Sequence, residues 1–259
     1  MNSADAPTPP TRAHQEKTFL PFIPRRAKNA LKDSFLKYPY WILANYVSRI
    51  TARKFFGQTA EDAILQRYFP ERVGTYIDIG GGHPIKFSNT YAFYRRGWRG
   101  ICVDAIEFNV HLWKLMRPRD RAIHVCIGEK TESRPFWIFE PYGLSTADPQ
   151  VAESVLTIPG VRLLEKRHVQ SIPLSEIVPP MNSQQPCFMS VDVEGLDLSV
   201  LTTNDWGICH PRVICVENWN GNKRTTENFV ERFLEKVGYK KVAFTGLSEI
   251  YVALDFLGR

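Results

Sequence analysis

No run of about 18 apolar residues occurs in the 259-residue sequence, so no membrane-spanning helix is expected. The five cysteines, at 102, 126, 187, 209 and 215, form no C-x-x-C pair and lie mostly in apolar runs. That pattern disfavours a disulfide framework and favours buried free thiols. The opening stretch MNSADAPTPP is polar and proline-rich and has no secretory apolar core. No internal repeat is seen. Apolar residues at 44% and charged residues at 23% are ordinary globular values, which excludes collagen-like, coiled-coil and fully disordered chains. The expectation is a soluble, cytoplasmic protein whose core needs no disulfide or metal to hold it.

Charge is not evenly spread. The net value is +6. Residues 12–54 hold ten Lys/Arg against Glu16 and Asp33, a local balance of +8, so the rest stands near −2. Residues 1–24 carry five prolines and read as a disordered lead. Residues 25–57 read as a basic helical extension, with apolar residues at 36, 40, 43, 44, 47 and 50 on one stripe. Such a stripe either packs onto the domain or lies on an anionic membrane surface beside its basic residues. The domain proper is expected over 58–259.

Within it, helices and short apolar strands alternate. Thr59 to Asp62 looks like a capping box before a short helix. Strands are expected over 75–79, 100–104, 122–127, 187–192 and 212–217, and helices over 86–96, 107–117, 197–203 and 223–237. Strand-like runs at 135–140 and 169–173 flank an insertion. Two final strands, 241–245 and 250–255, have no helix between them and should pair antiparallel at one edge. The fold class is therefore α/β, with a mostly parallel sheet covered on both faces.

Chemistry concentrates where strands end. Tyr76–Pro84 (YIDIGGGHP) runs from an apolar strand through Asp78 into Gly80, Gly81 and Gly82. Glycines there allow close approach of a ligand to the backbone. The motif is not G-x-G-x-x-G. An acid directly before the turn repels a pyrophosphate and suits a ligand with a cationic amino-acid end. Asp104 ends the second strand, 26 residues after Asp78, where a carboxylate can hold ribose hydroxyls. Ile127 and its neighbours Cys126 and Gly128 are placed to border an adenine. Asp192 and Glu194 end the fourth strand, and Glu217 and Asn218 the fifth. These four should meet at one edge, as a general base or as a site for a hard divalent cation.

Five segments together resemble the FkbM-type S-adenosylmethionine-dependent methyltransferases. They are Phe56–Asp62 (FGQTAED), Tyr76–Pro84, Phe87–Thr90 (FSNT), Phe93–Asp104 (FYRRGWRGICVD) and Ser190–Leu201 (SVDVEGLDLSVL). The resemblance spans about 55 to 256. It implies a Rossmann-like class I methyltransferase with a seven-stranded sheet and an O-methylated product. Asp78, Gly80 and Gly81 would border the methionine end of the cofactor, Ser88 and Asn89 would assist, and Asp104 would hold the ribose. The acids at 192, 194 and 217 would face the acceptor.

A hydroxyl acceptor must lose a proton as it is methylated, and the base candidates are Glu194, Asp192 and His83. Alternatively Asp192, Glu217 and Asn218 hold Mg²⁺, which lowers the acceptor's pKa. The favoured acceptor is a sugar hydroxyl of a glycan or glycolipid, with Trp206 and Trp219 as candidate stacking platforms. A small natural product is the alternative acceptor. A non-catalytic adenosine-binding scaffold is the alternative if the acids do not converge. Nucleic acid is not expected, because the basic residues cluster in the arm and no Asn/Asp-Pro-Pro-Tyr/Phe motif follows the fourth strand.

Overall fold

The computed structural model describes residues 55–217 and 228–258. The lead, the extension up to residue 54, Asn218, Trp219 and the first turn of the helix expected over 223–237 lie outside the described residues. In chain order the strands are β1 (Thr75–Ile79), β2 (Arg99–Asp104), β3 (Arg121–His124), β4 (Cys126–Ile127), β5 (Glu132–Glu140), β6 (Arg162–Ile172), β7 (Cys187–Val191), β8 (Val213–Glu217), β9 (Tyr239–Phe244) and β10 (Ser248–Ala253). The helices are α1 (Glu61–Tyr68), α2 (Tyr91–Arg95), α3 (Glu107–Met116), α4 (Pro149–Val155), α5 (Asp197–Thr202), α6 (Phe229–Lys236) and α7 (Leu254–Leu257).

Seven strands form one sheet in the order β3-β2-β1-β7-β8-β10-β9. The first five are parallel, and β10 runs antiparallel to both β8 and β9. β7 and β10 are buried along their whole length, so both faces of the sheet are covered there. One face packs Leu65, Phe69, Phe93, Trp98 and Phe188. The other packs Ile77, Met189, Val191, Leu201 and Ile214. This is the α/β, Rossmann-like architecture that the strand–helix alternation implies. Its strand order reverses between β1 and β7, and the crevice at such a reversal is where open α/β sheets bind ligands.

Local details differ from the expectations. The helix over 86–96 shortens to α2, because Phe87 takes a positive φ of 62° and Ser88 Oγ accepts from the Thr90 and Tyr91 amides. A side chain that captures nearby amides competes with helix formation. The strand over 122–127 splits, and Cys126 and Ile127 pair with Ser171 and Ile172 in a second sheet, β4-β6-β5. Thr59 does not cap α1. The cap position falls on Ala60, in the left-handed region, while Asp62 turns back to accept from the amides of Phe56 and Gly57. The insertion is the β5–β6 hairpin together with α4, whose first turn is capped by Asp148 with Pro149 behind it. Among the described residues no helix is long and apolar enough to cross a membrane.

Candidate active site

The carboxyl ends of β1, β2, β7 and β8 open into one cavity of about 640 Å³, within the range of small-molecule sites. Its lining is mixed. Val125, Cys126, Ile127, Phe136, Leu196 and Val200 supply apolar surface. Asp104, Asn109, the Gly80–Gly82 turn, Asp192, Glu194 and Glu217 supply the polar part.

The glycine turn is dictated by packing as much as by any ligand. A Cβ on Gly80, which has a φ of +75°, would lie 1.7 Å from the Asp192 carbonyl oxygen, and one on Gly81 would press Cys102 Sγ and the Trp113 ring. The turn is pinned from the next strand. Asp104 Oδ2 accepts from the Gly82 amide at 2.8 Å and from Asn109 at 3.1 Å, and its Oδ1 accepts from the Ile106 amide at 2.7 Å. Burial pushes the Asp104 carboxyl up to about 6, and these three donors limit the rise. A carboxylate offers about four lone-pair positions, so an acceptor position remains for a ligand hydroxyl.

Asp78 has a different place from the one its motif suggests. Its carboxylate does not line the cavity. It is buried and accepts from Thr90 Oγ1 at 2.5 Å. Thr90 is also bonded by Arg117, a fully buried guanidinium that reaches Asp120, Tyr76 Oη, Ser88 Oγ and the Pro84 carbonyl. Burial raises the Asp78 carboxyl to about 6, opposed by the Thr90 hydroxyl and Arg117. Ser88 belongs to the same network. Asn89 donates to Ser190 Oγ at 3.1 Å across the sheet. Asp78 and Ser88 thus belong to a buried network around Arg117, Asn89 is bonded to Ser190 on β7, and Gly80, Gly81, Asp104 and Ile127 line the cavity. Trp206 is no stacking platform either, because it packs into the core against Phe233 and Tyr239.

The acids do converge. Carboxylate oxygens of Asp192, Glu194 and Glu217 lie within 4.8 Å of one another, and no described Lys or Arg pairs with them. Glu217 Oε2 is buried without a hydrogen-bond partner among the described residues. Burial and then the neighbouring carboxylates push Glu194 up to about 9 and Glu217 up to about 11, and burial also raises Asp192. Three carboxylates this close cannot all be ionised unless protons or a cation share the space. Glu194 reaches the cluster from a left-handed backbone (φ 53°) that non-glycine residues rarely adopt. Its carbonyl is held by Thr146 Oγ1 at 3.2 Å, so the insertion grips this turn from outside. Sequence reasoning missed Thr146 and Asn109. Neither belongs to a strand-end motif, and only the folded insertion and α3 bring them in.

His83 lines the cavity with one ring nitrogen already committed. Its Nδ1 accepts from the amides of Ile85 and Lys86, both at 3.1 Å. In the neutral ring the proton then sits on Nε2, which makes that nitrogen a donor rather than a base.

The sequence matches the methyltransferase FkbM domain model over residues 73–241. The chain belongs to the FkbM methyltransferase family. Among curated proteins none matches. Among solved structures it is similar to a TehB-like SAM-dependent methyltransferase from Corynebacterium glutamicum, with 10% identity over 83% of this chain and 97% of that one and a TM-score of 0.40. It is also similar to an O-methyltransferase from Bacillus cereus in complex with SAH, with 11% identity over 88% and 97% and a TM-score of 0.39.

Proposed function

We propose that this FkbM methyltransferase is an S-adenosylmethionine-dependent O-methyltransferase acting on a sugar hydroxyl, with Glu194 as the base. The observation that carries the reading is the convergence of Asp192, Glu194 and Glu217 beside the glycine turn in the same cavity as Asp104. The residues fit the cofactor. The apolar lining around Ile127 suits an adenine, Asp104 keeps an acceptor position for a ribose hydroxyl, and the unpartnered Glu217 oxygen suits a cationic end. When bound, the cofactor supplies a methyl group already activated on a cationic sulfur.

What remains for the chain is orientation, exclusion of water and one proton. Glu194 accepts the proton of the acceptor hydroxyl as the new O–CH₃ bond forms. In the ligand-free chain Glu194 holds a proton of its own at neutral pH, so it must release that proton beside a cationic ligand before it can act, and it is then a stronger base than a carboxylate of ordinary pKa. Burial, Asp192 and Asp197 hold Glu194 in its raised state, and Asp192 and Glu217 accept hydrogen bonds from neighbouring acceptor hydroxyls. A second reading rests on the same geometry. Three oxygen donors within 4.8 Å suit a hard cation such as Mg²⁺, with Asn218 as a further ligand, and the cation would take over the lowering of the acceptor's pKa.

Methyl transfer to a panel of methyl glycosides, with and without excess EDTA, separates the readings. Turnover that persists in EDTA and is lost in Glu194→Gln supports the base. Turnover abolished by EDTA and restored by Mg²⁺ supports the cation. Transfer only to non-sugar phenols or carboxylic acids would refute the sugar acceptor. The +8 charge of residues 12–54 suits an anionic lipid face as the place of action. Co-sedimentation with phosphatidylglycerol liposomes at low salt tests this, and absence of binding refutes it.

A further inference from the structure

The cavity is lopsided in charge. Four carboxylates line it, at Asp104, Asp192, Glu194 and Glu217, against one cationic side chain, Lys86. Lys86 is exposed, and among the described residues its ammonium pairs with no carboxylate. Its ammonium lies over the ring of Phe87, 4.9 Å from the centroid. That ring is itself set at the cavity wall by the positive φ of Phe87, which the parallel bridge between Phe87 and Gly57 fixes. One turn earlier, His83 presents Nε2–H, because its Nδ1 is committed to the amides of Ile85 and Lys86. Gln58 lines the cavity as well. A cation, a directed N–H and an amide thus line the same cavity as the acid cluster. This combination matches a zwitterion, whose ammonium faces the acids and whose carboxylate faces the donors.

We infer that Lys86, together with the Nε2–H of His83, recognises the carboxylate of the amino-acid end of the cofactor, and so discriminates it from adenosine derivatives lacking that end. The inference rests on the cofactor assignment made above and adds Lys86, which no motif points to, and a donor role for His83.

The test needs no acceptor. Calorimetric titration of the full chain, as wild type, Lys86→Gln and Lys86→Arg, is run with S-adenosylhomocysteine and with 5′-methylthioadenosine, which lacks the amino-acid end. The expected result is tighter wild-type binding of S-adenosylhomocysteine. Lys86→Gln should weaken that ligand about tenfold, equivalent to ~1.4 kcal/mol, and change methylthioadenosine less than twofold. Lys86→Arg should stay within about threefold of wild type for both, since the charge is kept. Equal weakening of both ligands by Lys86→Gln, or no effect on either, overturns the inference while leaving the cofactor reading intact. A wild-type chain that binds neither ligand overturns both. Lys86 is exposed, so unchanged melting temperatures are expected and show that any loss is local.

Discussion

Replacing Glu194 by Gln should change how stability depends on pH more than it changes stability at any one pH. Burial and the neighbouring Asp192 and Asp197 raise the folded-state Glu194 carboxyl to about 9, whereas an unfolded glutamate titrates near 4.5. Between those values the folded chain keeps a proton that the unfolded chain has released. Stability conferred on the folded state therefore falls as pH rises, with a slope of ~−1.4 kcal/mol per pH unit for one such group. Glu217, raised to about 11 by burial and by Asp192 and Glu194, adds a second slope of the same sign. From pH 6.5 to 8.0 the Glu194 contribution amounts to ~2 kcal/mol. The side-chain amide of Gln cannot ionise, so Glu194→Gln should lose about that much less stability than wild type over the interval, and the pair Glu194→Gln with Glu217→Gln less still, without simple doubling, because the two carboxyls raise one another. Buried thiols contribute equally to wild type and variants and cancel in the difference. Urea denaturation of the ligand-free protein at four pH values reads the slopes, with Glu153→Gln on the exposed surface of α4 as a control that should follow wild type. Parallel wild-type and Glu194→Gln curves would show that the three carboxylates do not hold protons in common, and would refute the electrostatic picture of the site.

Two further outcomes follow from the buried network around Arg117 and from the strand that pins the glycine turn. Arg117→Met should cost ~3–5 kcal/mol in urea denaturation, because it leaves Asp120 buried without its guanidinium; a loss under 1 kcal/mol would show the network to be dispensable. Asp104→Ala should weaken S-adenosylhomocysteine by ~1.5–3 kcal/mol, the scale of a charged hydrogen bond, and unchanged affinity in calorimetry would remove Asp104 from the ribose.

The sheet was legible because its strands are short, apolar and punctuated. Val213–Glu217 and Cys187–Val191 have no polar alternation to confuse with a surface strand, and glycine or acid marks where each β-to-helix turn begins. The antiparallel β9–β10 pair followed from a connection too short for a crossover helix. Side-chain direction was less legible. Asp78 sits in a strand–turn motif that places its Cα correctly, but only the fold shows that Thr90 and Arg117 claim its carboxylate from the other side. Ser88 reads as a helix opener and instead caps a tight turn, which delays α2 to Tyr91. The acids were legible as a group because the ends of two neighbouring strands, β7 and β8, must lie side by side. The left-handed turn that aims Glu194 inward was not, since nothing in Val193-Glu194-Gly195 signals a positive φ on the glutamate. The second sheet was only half visible, because the exposed outer half of β6 carries charges that read as loop.

The central claim is that the cavity at the β1–β7 reversal holds the methyl donor of an FkbM methyltransferase. Calorimetric titration of the full chain with S-adenosylhomocysteine, in competition with NAD, tests it most directly. The account predicts one equivalent bound per chain, no displacement by NAD, and loss of the binding heat in Asp104→Ala at matched concentration. No heat with S-adenosylhomocysteine, or tight binding of NAD in its place, would contradict it.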